Sequence, residues 1–335
     1  MPLGTEAVEA RRTPNALTCE LEDWFHILDS DKTPKFEDWG KLPLCAERNV
    51  ERLLHLFADT HVRATFFCLG WMAERMPQVV RRCQAAGHEI GSHGYAHIMA
   101  RPTNWAIFRE DILRAKEILE DITGRAVLGY RSPGFSVKNG NTWFFDVVSE
   151  SGYRYDASVF PARHGHGGYS GINPGPHVIT TQGGPLVEIP VSTVSILGRR
   201  MCFFGGGYLR LSPLPIIRWG ARHLRRAKQP LIVYVHPREI DPDHQRLPLG
   251  PWRSFKCYNN LGTTFPKLKW LCENNRFGTM AELASRIGKG VASAVCEAPR
   301  ERQVSGVKLE VGACPFDARR ETSHAKLQEA DMELT

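Results

Sequence analysis

Hydrophobic positions along this chain recur with two periods, and the switches between them predict its elements. "NALTCEL" (Asn15 to Leu21) reads as a strand running into the acidic-aromatic group "EDWFH". "CAERNVERLLHLFADT" puts Val50, Leu53, Leu54 and Phe57 on one helical face. "VRATFFCLG" is β-branched and aromatic, as in a buried strand. "MPQVVRRCQAAG" is a helix stopped at Gly87, and "HEIGS" is a short strand. "NWAIFREDILRAKEILEDITG" carries Ile112, Ala115, Ile118, Leu119 and Ile122 in helical register before Gly124. "AVLGYRSPGF" is a strand ending in a turn, "NTWFFDVVSESG" a helix, and "YRYDASVF" a strand leading to a loop.

Residues His164 to Gly184 are rich in Gly and Pro and predict an excursion rather than core. "LVEIPVS" and "LIVYVHP" read as strands, separated by "LSPLPIIRWGARHLRRAK", a basic amphipathic helix entered through prolines. "FPKLKWLCENN" and "TMAELASRI" are the last helices. Strands alternating with helices imply parallel β/α units, and a barrel is their economical closure. The expected organisation is an N-terminal extension (1–14), one α/β barrel domain (15–288) and a mobile tail (289–335) of small and charged residues without periodicity.

Composition narrows this only slightly. The chain has 335 residues, 42% hydrophobic and 24% charged, as in an ordinary globular protein. No apolar run approaches the ~18 residues that span a bilayer. The N-terminus lacks the apolar segment of a secretory signal, so a cytoplasmic location is expected. None of the nine cysteines forms a CxxC pair, which argues against a disulfide framework or a Cys-type zinc site. The net charge of +7 suits an anionic partner such as a lipid headgroup, a nucleotide-sugar or an acidic glycan, and equally suits scattered surface charge. No nucleic-acid motif with interleaved aromatics is present.

In β/α folds chemistry gathers at the carboxyl ends of strands. There this chain places Glu20, Glu22, Asp23 and His26, then His93 and His97, then Arg131, Pro133 and Gly134, then Asp156, and finally His236. An HxxxH pair alone is as often structural as metal-binding. Beside a carboxylate cluster it becomes a three-ligand site with positions open to water. His236 ends an apolar strand, where an imidazole needs a hydrogen-bond partner. Trp24, Phe25, Trp143 and Phe144 read as core, with Trp24 kept as a sugar platform because of its acidic neighbours.

These residues resemble the polysaccharide deacetylase family (carbohydrate esterase family 4, with the chitooligosaccharide-deacetylase homology domain). "LTCELEDWFH", "SHGYAH", "RSPGFS", "YDASVFP" and "YVHP" resemble its five motifs in order, over roughly residues 15–287. "GGGYLRLSP" and "HPREID" resemble a cytoplasmic branch linked to exopolysaccharide gene clusters.

The resemblance implies a distorted (β/α) barrel of about seven parallel strands and a divalent metal, Zn2+ first, with Co2+, Ni2+ or Mn2+ as alternatives. It implies a metal held by His93, His97 and one carboxylate, a carboxylate base oriented by Arg131, His236 as the acid, and Asp156 in support. Trp24, Pro133 and Gly134 would meet substrate. Two positions depart from the family pattern: Glu20 stands where Asp is usual, and Gly94 where Ser or Thr is usual. On an extended strand Glu20 and Glu22 share one face and Asp23 takes the other, unless the chain bulges. Asp23 is assigned to the metal and Glu20 to the base, with Glu22 a rival for either role.

The implied function is hydrolysis of the N-acetyl group of an amino sugar such as N-acetylglucosamine, in a bacterial glycan or its precursor. Two alternatives stand beside it. One is action on a lipid-linked or nucleotide-linked sugar or another small amide, with peripheral membrane contact through the basic helix near Arg218 to Lys228. The other is a glycan-binding pseudoenzyme.

Overall fold

The computed structural model describes residues 15–28 and 30–288, so the expected extension and tail lie outside the described residues. The chain runs β1 (Asn15–Leu21), α1 (Ala46–Asp59), β2 (Thr65–Cys68), α2 (Gly70–Arg75), α3 (Pro77–Ala85), β3 (Glu89–Ser92) and α4 (Trp105–Thr123). It continues through β4 (Gly129–Tyr130), α5 (Thr142–Glu150), β5 (Tyr155–Asp156), β6 (His177–Thr181), β7 (Gly184–Glu188), β8 (Val194–Ile196) and β9 (Arg199–Met201). The last elements are α6 (Gly206–Leu211), α7 (Leu214–Arg226), β10 (Ile232–Val235), α8 (Pro251–Tyr258), α9 (Thr264–Asn274), β11 (Phe277–Gly278) and α10 (Met280–Ile287).

Seven strands form a parallel path in the order β10-β1-β2-β3-β4-β5-β7, with β11 pairing in parallel with β1 off that path, and the sheet curls into a half-barrel with helices outside. Between β7 and β10 the described residues show no strand pairing; the Ser192 hydroxyl spans the gap, donating to Pro230 O (3.1 Å) and accepting from the Ile232 N–H (2.7 Å). Strand side chains alternate faces. Leu17, Cys19 and Leu21 join the outer core with Val50, Leu53 and Phe57 of α1. Ala16, Phe67, Tyr155, Val187 and Ile232 form a separate inner core, plugged by Met280 and Leu283 of α10. Helix α10 sits at the amino-terminal ends of the strands, where the Met280 N–H donates to Thr65 Oγ1 and the Ala281 N–H to Glu89. The opposite, carboxyl-terminal end stays open.

The predicted strands at "AVLGYRSPGF" and "YRYDASVF" shrink to two residues each. There the Tyr155 ring crosses Gly129 so closely that a Cβ at that glycine would lie 1.9 Å from it. The Gly- and Pro-rich excursion contains β6, which pairs antiparallel with β7 and extends the sheet edge. Its half-exposed alternation hid it among turn residues. Helices α2 and α8 also escaped the pattern, being six and eight residues long; α8 exposes Trp252 and Phe255. The seven described cysteines are all free thiols.

Candidate active site and metal centre

Strand β1 delivers the acids. Thr18 and Glu20 face the barrel interior, opposite Leu17, Cys19 and Leu21. Past Leu21 the chain turns, with the Glu22 N–H donating to Glu20 O (2.9 Å), and Glu22 stays on the inner side with Glu20. Asp23 swings the other way. Its carboxylate accepts the N–H groups of Trp24 (2.8 Å), Cys45 (2.9 Å) and Ala46 (3.0 Å), and the Cys45 thiol at 3.0 Å. Asp23 thereby satisfies free N–H groups at the start of α1. The assignment of Asp23 to the metal is corrected: the carboxylate that meets the imidazoles is Glu22.

His93 directly follows strand β3, and a tight loop returns to His97. The loop is held by Asp111 of α4, which accepts the N–H groups of Tyr95 (2.7 Å) and Ala96 (2.8 Å). Gly94 has φ +77°, and a Cβ on it would lie 2.5 Å from the Asp111 carboxylate. A serine or threonine here would displace Asp111, which accounts for the departure from the family pattern. His93 Nδ1 donates to Arg131 O (2.7 Å), so in the neutral ring Nε2 carries a lone pair. That Nε2 lies 3.0 Å from Glu22 Oε1, and His97 Nε2 lies 2.9 Å from the same oxygen without making a hydrogen bond. Two buried imidazole nitrogens, each about 3 Å from one buried carboxylate oxygen and all three atoms within 4.8 Å of one another, match the donor set and spacing of one divalent cation's coordination sphere.

Arg131 is wholly buried. Its Nη1 donates to Glu20 Oε1 (2.9 Å) and Thr18 Oγ1 (2.6 Å), and its Nε to Ala157 O (3.1 Å). His236 Nε2 lies 2.7 Å from Glu20 Oε2 and 3.9 Å from Glu22 Oε1, while its Nδ1 lies 3.0 Å from Glu239 Oε2. Glu239 pairs in turn with Arg210. Burial alone would raise Glu20, but His236 and Arg131 outweigh it and hold the carboxyl at about 2. Burial opposes charge on His236 as well, yet Glu20, Glu22 and Glu239 push it up to about 10. Glu239 is held at about 2 against burial by Arg210 and His236.

The other expected site residues divide. Asp156 is buried with its carboxylate on the Ser158 hydroxyl (2.6 Å) and N–H (3.1 Å), and against Glu188. Burial, then the neighbouring Asp156, raises Glu188 well above the carboxylate range. No hydrogen bond among the described residues joins Asp156 to His236 or Arg131. Trp24 is buried, donating its indole N–H to Pro43 O (2.9 Å), and does not line the cavity, so its expected contact with substrate is corrected. Pro133 is buried in a short turn, while Gly134 lines the cavity. His26, Glu20, Glu22, His97 and His236 line a cavity of about 420 Å³ that opens at this end of the barrel. Sequence reasoning missed Glu239, Arg210 and Glu188. Glu239 had one signal, its place three residues after His236 in "HPREI".

Residues 36–155 match the polysaccharide deacetylase family, and residues 157–285 match a domain of unknown function, DUF3473. Residues 36–155 thus form a polysaccharide deacetylase domain. The two matches divide the site: His93, His97 and Arg131 fall in the first, His236 and Glu239 in the second, and Glu20 and Glu22 precede both. A peptidoglycan deacetylase of Helicobacter pylori is 29% identical over 138 residues, covering 41% of this chain and 45% of that protein. A peptidoglycan-N-acetylglucosamine deacetylase of Bacillus cereus is 36% identical over 93 residues, covering 28% of this chain and 34% of that protein. The chain thus spans less than half the length of these curated relatives. A solved structure from Mycobacterium smegmatis, described as a candidate polysaccharide deacetylase, shares the fold with a TM-score of 0.56 at 19% identity, over 88% of this chain and 96% of that one.

Proposed function

We propose that this protein is a divalent-metal-dependent N-deacetylase, a hydrolase of a non-peptide carbon–nitrogen bond in an acetylated amino sugar. The observation that carries this reading is the convergence of Glu22, His93 and His97 on one point beside the Glu20–His236 pair. A divalent ion at that point (zinc first, or cobalt, nickel or manganese) would polarise the acetamide carbonyl and acidify water. Glu20, anchored by Arg131, accepts the proton of the attacking water. His236, held at Nδ1 by Glu239, delivers a proton to the departing amine as the C–N bond breaks, leaving acetate and a free amino sugar. Asp156 and Glu188 act at a remove, fixing the strand ends around Arg131. The glutamate at position 20 suits the base role because its extra methylene is taken up by direct contacts to both Arg131 and His236.

The substrate in this reading is a bacterial glycan or its precursor, with N-acetylglucosamine in an exopolysaccharide as the leading candidate and the cytoplasm as the site of action. None of the described helices is long and apolar enough to cross a membrane. The test is acetate release from N-acetylglucosamine oligomers by metal-loaded protein, with and without chelator, alongside direct metal analysis. The His93→Ala/His97→Ala double variant should lose its metal and at least about a hundredfold in rate. Full activity in that variant would overturn the reading.

A further inference from the structure

The cavity does not end at the histidines. Its wall also carries Arg238, directly before Glu239, and Arg253 and Lys256, one turn apart on α8. The acids in the same cavity are already matched. Glu20 meets Arg131 and His236, Glu22 meets the two imidazoles, and Glu239 meets Arg210. No ion pair among the described residues joins Arg238, Arg253 or Lys256 to any of these acids. Arg238 Nε and Nη1 and Arg253 Nε are buried without a hydrogen-bond partner among the described residues, and Arg253 otherwise donates to Leu28 O. Buried guanidinium donors left unmatched are costly, and a ligand offering several anionic oxygens to a planar fork recovers that cost.

We infer that this part of the groove binds an anionic substituent, a phosphate or a carboxylate, carried by the acetylated sugar or by the unit linked to it. The inference rests on the deacetylase reading for the sugar and on the cavity's own charge balance for the anion. It makes the preferred substrate an acidic or phosphate-linked amino sugar rather than a neutral oligomer. Arg253 and Lys256 supply selectivity and, among the described residues, form no ion pair with Glu20 or His236's partner Glu239. Because the pocket is partly shielded from solvent, the attraction should weaken with added salt without vanishing.

The experiment compares three probes on metal-loaded full-length protein: neutral chitotetraose, UDP-N-acetylglucosamine for the phosphate arm, and a hyaluronan tetrasaccharide for the carboxylate arm. Acetate release and calorimetric binding are both measured. At least one anionic probe should exceed the neutral one by about tenfold in kcat/KM or in affinity, and which one does so identifies the anion. Arg253→Gln/Lys256→Gln should lower that anionic-to-neutral ratio by about tenfold, with the single Lys256→Gln variant, at an exposed side chain, showing the same trend in a protein of unchanged melting temperature. A neutral probe favoured over both anions, or a variant that lowers all probes alike, overturns the inference. If no probe releases acetate but the anionic sugars bind selectively, the anion site stands and the deacetylase reading falls. If chitotetraose is deacetylated with no discrimination in rate or binding, the reading stands and the anion site falls.

Discussion

At the amino-terminal end of the sheet, Glu89 lies under α10 and accepts hydrogen bonds from Thr65 Oγ1 (2.6 Å), Tyr155 Oη (2.8 Å) and the Ala281 N–H (2.9 Å). At the carboxyl-terminal end, Glu20 lies between the Arg131 guanidinium (2.9 Å) and the His236 ring (2.7 Å). Glu20 is buried and Glu89 largely so, and both are multiply hydrogen-bonded. Glu89 is nevertheless raised by burial, because its donors are neutral, whereas cationic neighbours hold Glu20 at about 2. A buried acid therefore marks a reactive site only when charges of both signs are assembled around it. The same barrel builds a structural carboxylate at one end and a poised one at the other.

Exchanging each acid for its amide should pull the two ends apart. Glu20→Gln should cut acetate release by about 10²–10⁴-fold. It should also destabilise the fold by about 3–5 kcal/mol, since Arg131 keeps its burial and loses its counter-charge. Glu89→Gln should cost about 1–3 kcal/mol in denaturant unfolding and leave kcat and metal content unchanged. If Glu89→Gln silences the enzyme and Glu20→Gln does not, the contrast between the ends is wrong.

A smaller effect separates the two neighbouring acids. Asp23→Ala should lower stability by about 1–2 kcal/mol through the lost N–H acceptors at α1, with metal retained. Glu22→Gln should release the metal. Metal analysis showing the reverse would restore Asp23 as the ligand. Gly94→Ala is expected to cost about 1–3 kcal/mol through its positive φ and the Asp111 clash, and to loosen metal binding with it.

The smallest effect is one of pH. His88, at the amino-terminal end of β3, is lowered from its ordinary 6.5 to about 4, chiefly by burial, and its Nδ1 accepts the Ala64 N–H at 3.1 Å. Its folded pKa is depressed, so between those values the unfolded chain binds more protons than the native one. Its stabilising share is full above about 6.5 and is lost as pH falls towards 4. Melting temperature should therefore decline over that window in the wild type, and the decline should be shallower in His88→Gln. A variant with an unchanged slope would place the acid sensitivity elsewhere, including the active-site end.

Much of the site was legible along the chain because its parts are strand ends, and strand ends follow from period and punctuation. Asn15–Leu21 could be read as a strand from residue types alone, and its alternation already put Glu20 and Glu22 on one face and Asp23 on the other. The assignment of Asp23 as ligand yields to the geometry past the strand, which turns Asp23 to the start of α1 and leaves Glu22 with the imidazoles. Gly94 looked like a defect in a histidine motif. Its reason lies in Asp111, on a helix that the sequence places but does not orient. Arg210 lies in "GGGYLRLSP", but that segment does not reveal its partner, since Glu239 lies on a separate turn.

The sequence by itself determined the order of strands and helices, the polar residues at their carboxyl ends and the family that residues 36–155 match. These are local properties, set by side-chain period, glycine and proline punctuation and motif spacing. Only the tertiary structure decided which acid meets the imidazoles, which cation each acid keeps, and that Asp156 and Glu188 are buried side by side. Those outcomes depend on distances of about 3 Å between residues far apart in the chain, such as Glu22 and His93, 71 positions apart, and Glu20 and Arg131, 111 apart. Curling seven strands into one half-barrel creates such proximities, and no local pattern encodes them.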